Sequence, residues 1–225
     1  MHFTRLVAGT VTAGLLGLTP LAVSAPANAT DTWSTTTTAT PYETRVVFGD
    51  TVDINVDISS SDGYSPGGTD GTSTLYAMEA GTTAWVPVAT AENTYASFYD
   101  VKPTVTTTYK VVYSGFTATA SYQDNYTPSE SPVFTVGVAR KITYPSSGFV
   151  LKGKVTPNYG KKKIVIKVSK KKNKGFKSFK TIKTTSTGTY KVALPRRRGT
   201  WYWSFTVKGD SKYLANGFLW RTWVS

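Results

Sequence analysis

The stretch Val52-Asp53-Ile54-Asn55-Val56-Asp57-Ile58 places an apolar side chain at every second position. That period fits a strand with one dry face and one wet face, because successive side chains of a strand point to opposite sides. Ile164, Ile166 and Val168 repeat the pattern against Lys163, Val165 and Lys167. Thr, Val and Tyr are plentiful, Gly, Pro, Asn and Asp punctuate the gaps, and no segment of helical length sustains an i, i+3, i+4 stripe. The chain is therefore expected to be all-β, built of half-buried antiparallel strands.

An internal repeat divides these strands into two sets. Residues 102–115, KPTVTTTYKVVYSG, match residues 194–210, LPRRRGTWYWSFTVKGD, with Pro103 and Tyr109 answering to Pro195 and Trp201 at an offset of 92. Upstream, Trp85 and Val88 correspond to Phe176 and Phe179. Each copy holds about seven strand candidates, the number expected of an immunoglobulin-like sandwich of about 100 residues. In the second copy the strands are expected at Lys141 to Tyr144 (A), Val150 to Val155 (B), Ile164 to Ser169 (C), Phe179 to Thr184 (D), Thr189 to Leu194 (E), Trp201 to Val207 (F) and Phe218 to Val224 (G).

Several of these stretches carry a resemblance. VFGDTVDINVDIS, AWVPVAT and VKPTVTTTYKVVYSG, with LKGKVTPNYGKK and GDSKYL in the second copy, resemble the tandem Ig-like modules of secreted actinobacterial proteins. The resemblance implies two-sheet sandwiches and an extracellular setting, and it implies no conserved active site. Its motifs mark core strands and turns rather than chemistry.

The N-terminus points to the same setting. A short basic start, the apolar run LVAGTVTAGLLGL and the small residues Ala27, Asn28 and Ala29 read as a cleaved signal peptide over residues 1–29. No second apolar run of about 20 residues follows, so a membrane anchor is not expected. The domains are then expected at 30–138 and 139–225, and with no cysteine in the chain each must be held by its core.

Charge separates the two expected domains. Residues 30–138 hold 12 carboxylates against Arg45, Lys102 and Lys110, a net −9, whereas residues 139–225 hold 22 cations against Asp210 alone, a net +21. Such asymmetry points the basic half toward a polyanion. In a sandwich the C-D and E-F turns share one end, which brings Lys170, Lys171, Lys172 and Lys174 beside Arg196, Arg197 and Arg198. That end is expected to face away from the acidic domain. Over a module of about 35 to 40 Å the acids do little to screen it, since salt screens charge within about 8 Å. Lys161 to Lys163, in the B-C loop, fall at the opposite end.

Lysines on hairpin tips and sheet edges also keep a protein soluble and block strand addition, so a solvated face is the competing reading. Against it stand the single acid of this half and the three arginines in a row, whose planar guanidinium groups pair bidentately with phosphate or carboxylate. Of the aromatic runs at 201–205 and 217–223, alternation sends Trp201, Trp203 and Phe205 inward, with Arg221 and Trp223 facing outward as candidates for stacking.

Catalytic chemistry finds little support. The single histidine, His2, leaves with the leader, and no cysteine is available as nucleophile. Asp210 and Tyr213 read as a strand-end corner, and the segment 122–132 as a polar connection. The loop at 59–73 with Asp62 and Asp70, beside Asp53 and Asp57, lacks the D-x-D-x-D-G pattern of a calcium loop. No enzyme activity, cofactor or metal is expected. The expectation is a secreted or wall-associated module that binds an anionic cell-wall polymer or acidic polysaccharide, with non-specific DNA as a further ligand. The alternative is head-to-tail self-association of acidic and basic domains.

Overall fold

The computed structural model describes residues 30–92, 94 and 97–225. The leader expected over residues 1–29 lies outside the described residues. Among those described, every regular element is a strand, and no helix is long and apolar enough to cross a membrane.

The first eleven strands are β1 (Thr32–Trp33), β2 (Thr35–Pro41), β3 (Arg45–Val47), β4 (Val52–Ser60), β5 (Ser73–Glu79), β6 (Val86–Ala91), β7 (Phe98–Val101), β8 (Thr107–Tyr113), β9 (Asn125–Tyr126), β10 (Ser129–Glu130) and β11 (Phe134–Ala139). One sheet has the order β2-β4-β7 and its partner β3-β11-β8-β5-β6, with β10 added to β8 and a short parallel ladder between β1 and β9. The alternation in β4 does what its period demands. Val52, Ile54, Val56 and Ile58 are buried against Leu75, Val111, Tyr113 and Val136 of the facing sheet.

The remaining seven are β12 (Lys141–Ile142), β13 (Val150–Thr156), β14 (Lys163–Ser169), β15 (Lys177–Lys183), β16 (Thr189–Ala193), β17 (Gly199–Val207) and β18 (Asn216–Val224). They form sheets of order β12-β13-β16 and β15-β14-β17-β18. A second core lies between them, centred on Leu151, Ile164, Ile166, Trp203 and Phe205. These strands follow those expected from sequence to within two residues at each end, and the fourth, lettered D above, is hydrogen-bonded to β14 in the C-F-G sheet. The seven-residue turn at 170–176 joins β14 and β15 as an antiparallel hairpin, which sets the fourth strand in this sheet. The strand orders define two tandem immunoglobulin-like β-sandwiches.

The two sandwiches are tied at one junction. A single residue, Arg140, separates β11 from β12, and the loop between β17 and β18 reaches across it. The Leu214 amide donates to the Val138 carbonyl at 2.8 Å, the Thr106 amide to the Lys212 carbonyl at 2.9 Å, and the Arg45 guanidinium to the Ala215 carbonyl at 2.9 Å. Tyr213, from the second half of the sequence, packs with the core of the first sandwich. Each contact places a backbone group or ring of one sandwich on the other, so the connection is braced rather than a free linker.

Candidate cationic surface

The basic turns are set by local hydrogen bonding. Buried Ser169, at the end of β14, accepts from the Lys171 amide at 2.9 Å and donates to the Lys174 carbonyl at 2.6 Å. Its hydroxyl thus closes the turn from within, as Ser side chains do where backbone groups lack ladder partners. Gly175 completes the turn at φ 72°, a conformation that favours glycine. In the other loop, Leu194 is buried and its amide donates to the Phe149 carbonyl at 2.7 Å. Pro195 follows it and leads into the three arginines.

Sheet register brings these turns together. Ser169 pairs with Tyr202, so the end of β14 and the start of β17 lie side by side. Lys170 Nζ is 5.4 Å from the ring centroid of Trp201, and the Arg197 guanidinium carbon is 4.7 Å from the same ring. Arg197 also lies 5.4 Å from the Trp203 ring and 5.9 Å from Phe179, and Arg196 is 5.3 Å from Phe149. The Trp201 indole nitrogen donates to the Arg198 carbonyl at 3.1 Å, which pins the arginine loop to the strand that follows it.

The seven cations are not alike in this setting. Lys170, Lys171, Lys172, Lys174, Arg196 and Arg198 are exposed, while Arg197 is half-buried over three rings. Among the described residues, the ion pairs are Lys110 with Glu130 and Arg140 with Asp210, so none of the seven cations meets a carboxylate of its own chain. Arg221 pairs in register with Tyr202, and Trp223 with Thr200, on the outward face of the same sheet beside this end. Lys161 to Lys163 flank the opposite end, where the Lys161 amide donates to the Thr185 carbonyl at 3.0 Å.

Sequence reasoning missed the rings under the cations. Alternation turns Trp201 inward, and it lines the core margin, but it also forms the floor on which Lys170 and Arg197 rest. The available signal was position: Trp201 is the first inward aromatic after the arginine loop, so it lies at the open end of the sandwich.

Asp210 occupies the other end of this sandwich. It caps the turn by accepting from the Lys212 and Tyr213 amides at 3.0 and 3.1 Å, and it meets Arg140 at 2.6 Å. Burial raises its pKa, but the Arg140 hydrogen bond and charge, with the two amides, outweigh that and hold it below the usual carboxylate range. The acids of the first sandwich likewise serve turns. Asp53 accepts from the Asp100 amide at 2.9 Å, Asp70 from the Gly67 amide at 2.9 Å, and Asp62 from the Tyr64 amide at 3.0 Å and from Ser60. Among the described residues no group of three or more acids, histidines or cysteines is placed to hold a metal ion.

No family model matches the chain, and no curated protein matches it. Among solved structures it is similar to the FN1–FN3 domains of chicken CNTN1 (12% identity, TM-score 0.32, covering 83% of this chain and 65% of that one). It is also similar to the human OSCAR ligand-binding domain (12%, 0.28, 82% and 97%). A third match is native alpha-2-macroglobulin from Escherichia coli spanning domains NIE–MG1 (11%, 0.27, 83% and 96%). The chain thus spans less than two thirds of the CNTN1 fragment, at 65%. The fold assignment rests on the strand orders given above.

Proposed function

We propose that this chain is a secreted, non-enzymatic binding module that docks onto an anionic cell-envelope polymer through the cationic end of its C-terminal sandwich. One observation carries the reading: Lys170 and Arg197, from turns 27 positions apart, meet at one indole, five further cations belong to the same two turns, and among the described residues none of the seven forms an ion pair with a carboxylate. Unpaired like charges held this close repel one another, and a polyanion relieves that repulsion while releasing its own counterions. The arginines suit phosphate or carboxylate groups, which they grip bidentately. Export is supported by the leader pattern of residues 1–29, and after it no histidine or cysteine remains to supply imidazole or thiolate chemistry.

The test is sedimentation of the protein with purified cell wall, with and without its phosphate polymers, across a salt series. Binding that falls steeply with salt and is lost when Lys170, Lys171, Lys172, Lys174, Arg196 and Arg198 are replaced by Gln supports the proposal. Retention by that six-site variant overturns it. Concentration-dependent association of the free protein at low salt supports head-to-tail pairing of acidic and basic sandwiches instead.

A further inference from the structure

The outward face of the four-stranded sheet carries side chains that the core does not use. Register sets Thr200 opposite Trp223, Tyr202 opposite Arg221 and Ser204 opposite Leu219, with Lys167 opposite Ser204 from the other side. Directly opposed residues share a face. The inward pairs, Trp203 with Trp220 and Phe205 with Phe218, pack in the core, so the first set points outward. Trp223 is 62% exposed and Leu219 41% exposed, Arg221 and Lys167 are exposed beside them, and Tyr202, Thr200 and Ser204 are half-buried between them. Asp210, the one acid after residue 138, lies at the far end of the sandwich.

We infer that this face is a stacking platform for the pyranose rings of an anionic glycan, continuous with the cationic end. The inference rests on the polyanion reading and narrows its ligand. Trp223 and Tyr202 are diagonal neighbours on adjacent strands, at a separation of about 7 to 8 Å. Two rings so placed offer apolar surface to the C–H faces of neighbouring sugars. Thr200 and Ser204 supply hydroxyls that pair with sugar hydroxyls, and Arg221 and Lys167 hold carboxylate or phosphate substituents. A chain carrying charge alone, such as polyphosphate, leaves the two aromatic rings unused. The leader pattern directs the chain outside the cell, where polymers combining rings with negative charge are chiefly glycans.

The test compares the wild-type chain with a Trp223→Ala/Tyr202→Ser variant against hyaluronan, inorganic polyphosphate and oligothymidylate at one ionic strength. The expected result is a loss of about tenfold or more for hyaluronan with polyphosphate unchanged within about twofold. Indole fluorescence of the wild-type chain should also change on adding hyaluronan, by more than that of Trp223→Phe, in which Trp201 beneath Lys170 and Arg197 still reports binding at the cationic end; this covers the case of a misfolded double variant. Unchanged hyaluronan affinity, or equal losses for hyaluronan and polyphosphate, overturns the inference. A greater loss for oligothymidylate than for hyaluronan also overturns it, in favour of nucleic acid. If the six-site Gln variant still binds polyphosphate, the polyanion reading fails by itself, and the Trp223 fluorescence response to hyaluronan still decides the platform.

Discussion

Arg140 and Asp210 meet at 2.6 Å at the junction of the two sandwiches. Only 3% of the Arg140 surface remains exposed. Its Nε donates to the Pro157 carbonyl at 2.9 Å, and its guanidinium lies 4.2 Å from the Tyr213 ring centroid and 5.1 Å from that of Tyr159. The residue that joins the sandwiches is therefore also the one that the corner at 210–213 is built around. Arg140→Ala should cost about 2 to 4 kcal/mol, from lost ring packing and an unpaired carboxylate. Asp210→Asn should cost at least as much, about 3 to 4 kcal/mol, because Asp210 accepts from the two turn amides through Oδ1 and from Arg140 through Oδ2, and an amide with one oxygen turns its NH2 toward donors while the buried guanidinium loses its counter-charge. Urea denaturation of both variants measures the two costs.

The lowered pKa of Asp210 also fixes a pH dependence. A carboxyl whose folded pKa lies below its unfolded value of 3.8 contributes stability above that value and loses it as pH falls through the folded pKa. The stability gap between wild type and Asp210→Asn should therefore be constant above about pH 5 and close progressively below pH 3.8. Thermal melts from pH 2 to 6 follow it. A gap unchanged down to pH 2 contradicts the assignment.

Tyr190 provides the alkaline counterpart. Its hydroxyl donates to the Thr143 carbonyl at 2.9 Å, and burial, with a smaller contribution from Tyr144, pushes its pKa up to about 12. The unfolded chain loses this proton near pH 10, so stability is fully present below that and falls as pH rises toward 12. Tyr190→Phe should cost about 1 kcal/mol at neutral pH. It should also flatten the decline between pH 10 and 12, as measured by denaturation at each pH.

Beside Tyr190, Gly153 sits within β13, a position where sequence alone gives no reason for glycine. An added Cβ would come 1.8 Å from the Thr143 carbonyl oxygen and 2.9 Å from the Tyr190 ring. Glycine inside a strand often marks such a close backbone approach. Gly153→Ala must displace backbone rather than a flexible side chain. It should destabilise by about 2 to 4 kcal/mol, whereas Ala at exposed Lys154 should change stability by no more than about 0.5 kcal/mol.

The legible part of this fold was the part with a period. Alternation fixed the faces of β4, β14 and β17, and turn residues bounded the strands closely, because burial of one face leaves little freedom in register. The meeting of the two basic turns followed from strand direction alone. The junction was less legible. Nothing local marks Arg140 as buried or Tyr213 as a member of the first core, since both facts depend on how the sandwiches pack, which no single-strand pattern encodes. Trp201 was read correctly as inward-facing but incompletely, because alternation assigns a face without saying how near the end of the sandwich a ring lies.

That distinction separates neighbouring arginines. Arg197 covers Trp201, Trp203 and Phe179 at 4.7, 5.4 and 5.9 Å, so its planar group and stem shield the open end of the core from water. Arg198 is exposed and meets the rings only through its backbone carbonyl. Arg197→Ala should lower stability by about 1 kcal/mol as well as weaken polyanion binding. Arg198→Ala should leave stability within about 0.5 kcal/mol of wild type and weaken binding alone. Urea midpoints and heparin elution salt, measured on both variants, separate the two effects. Equal stability losses at the two positions would show that the ring contacts of Arg197 add nothing to the fold.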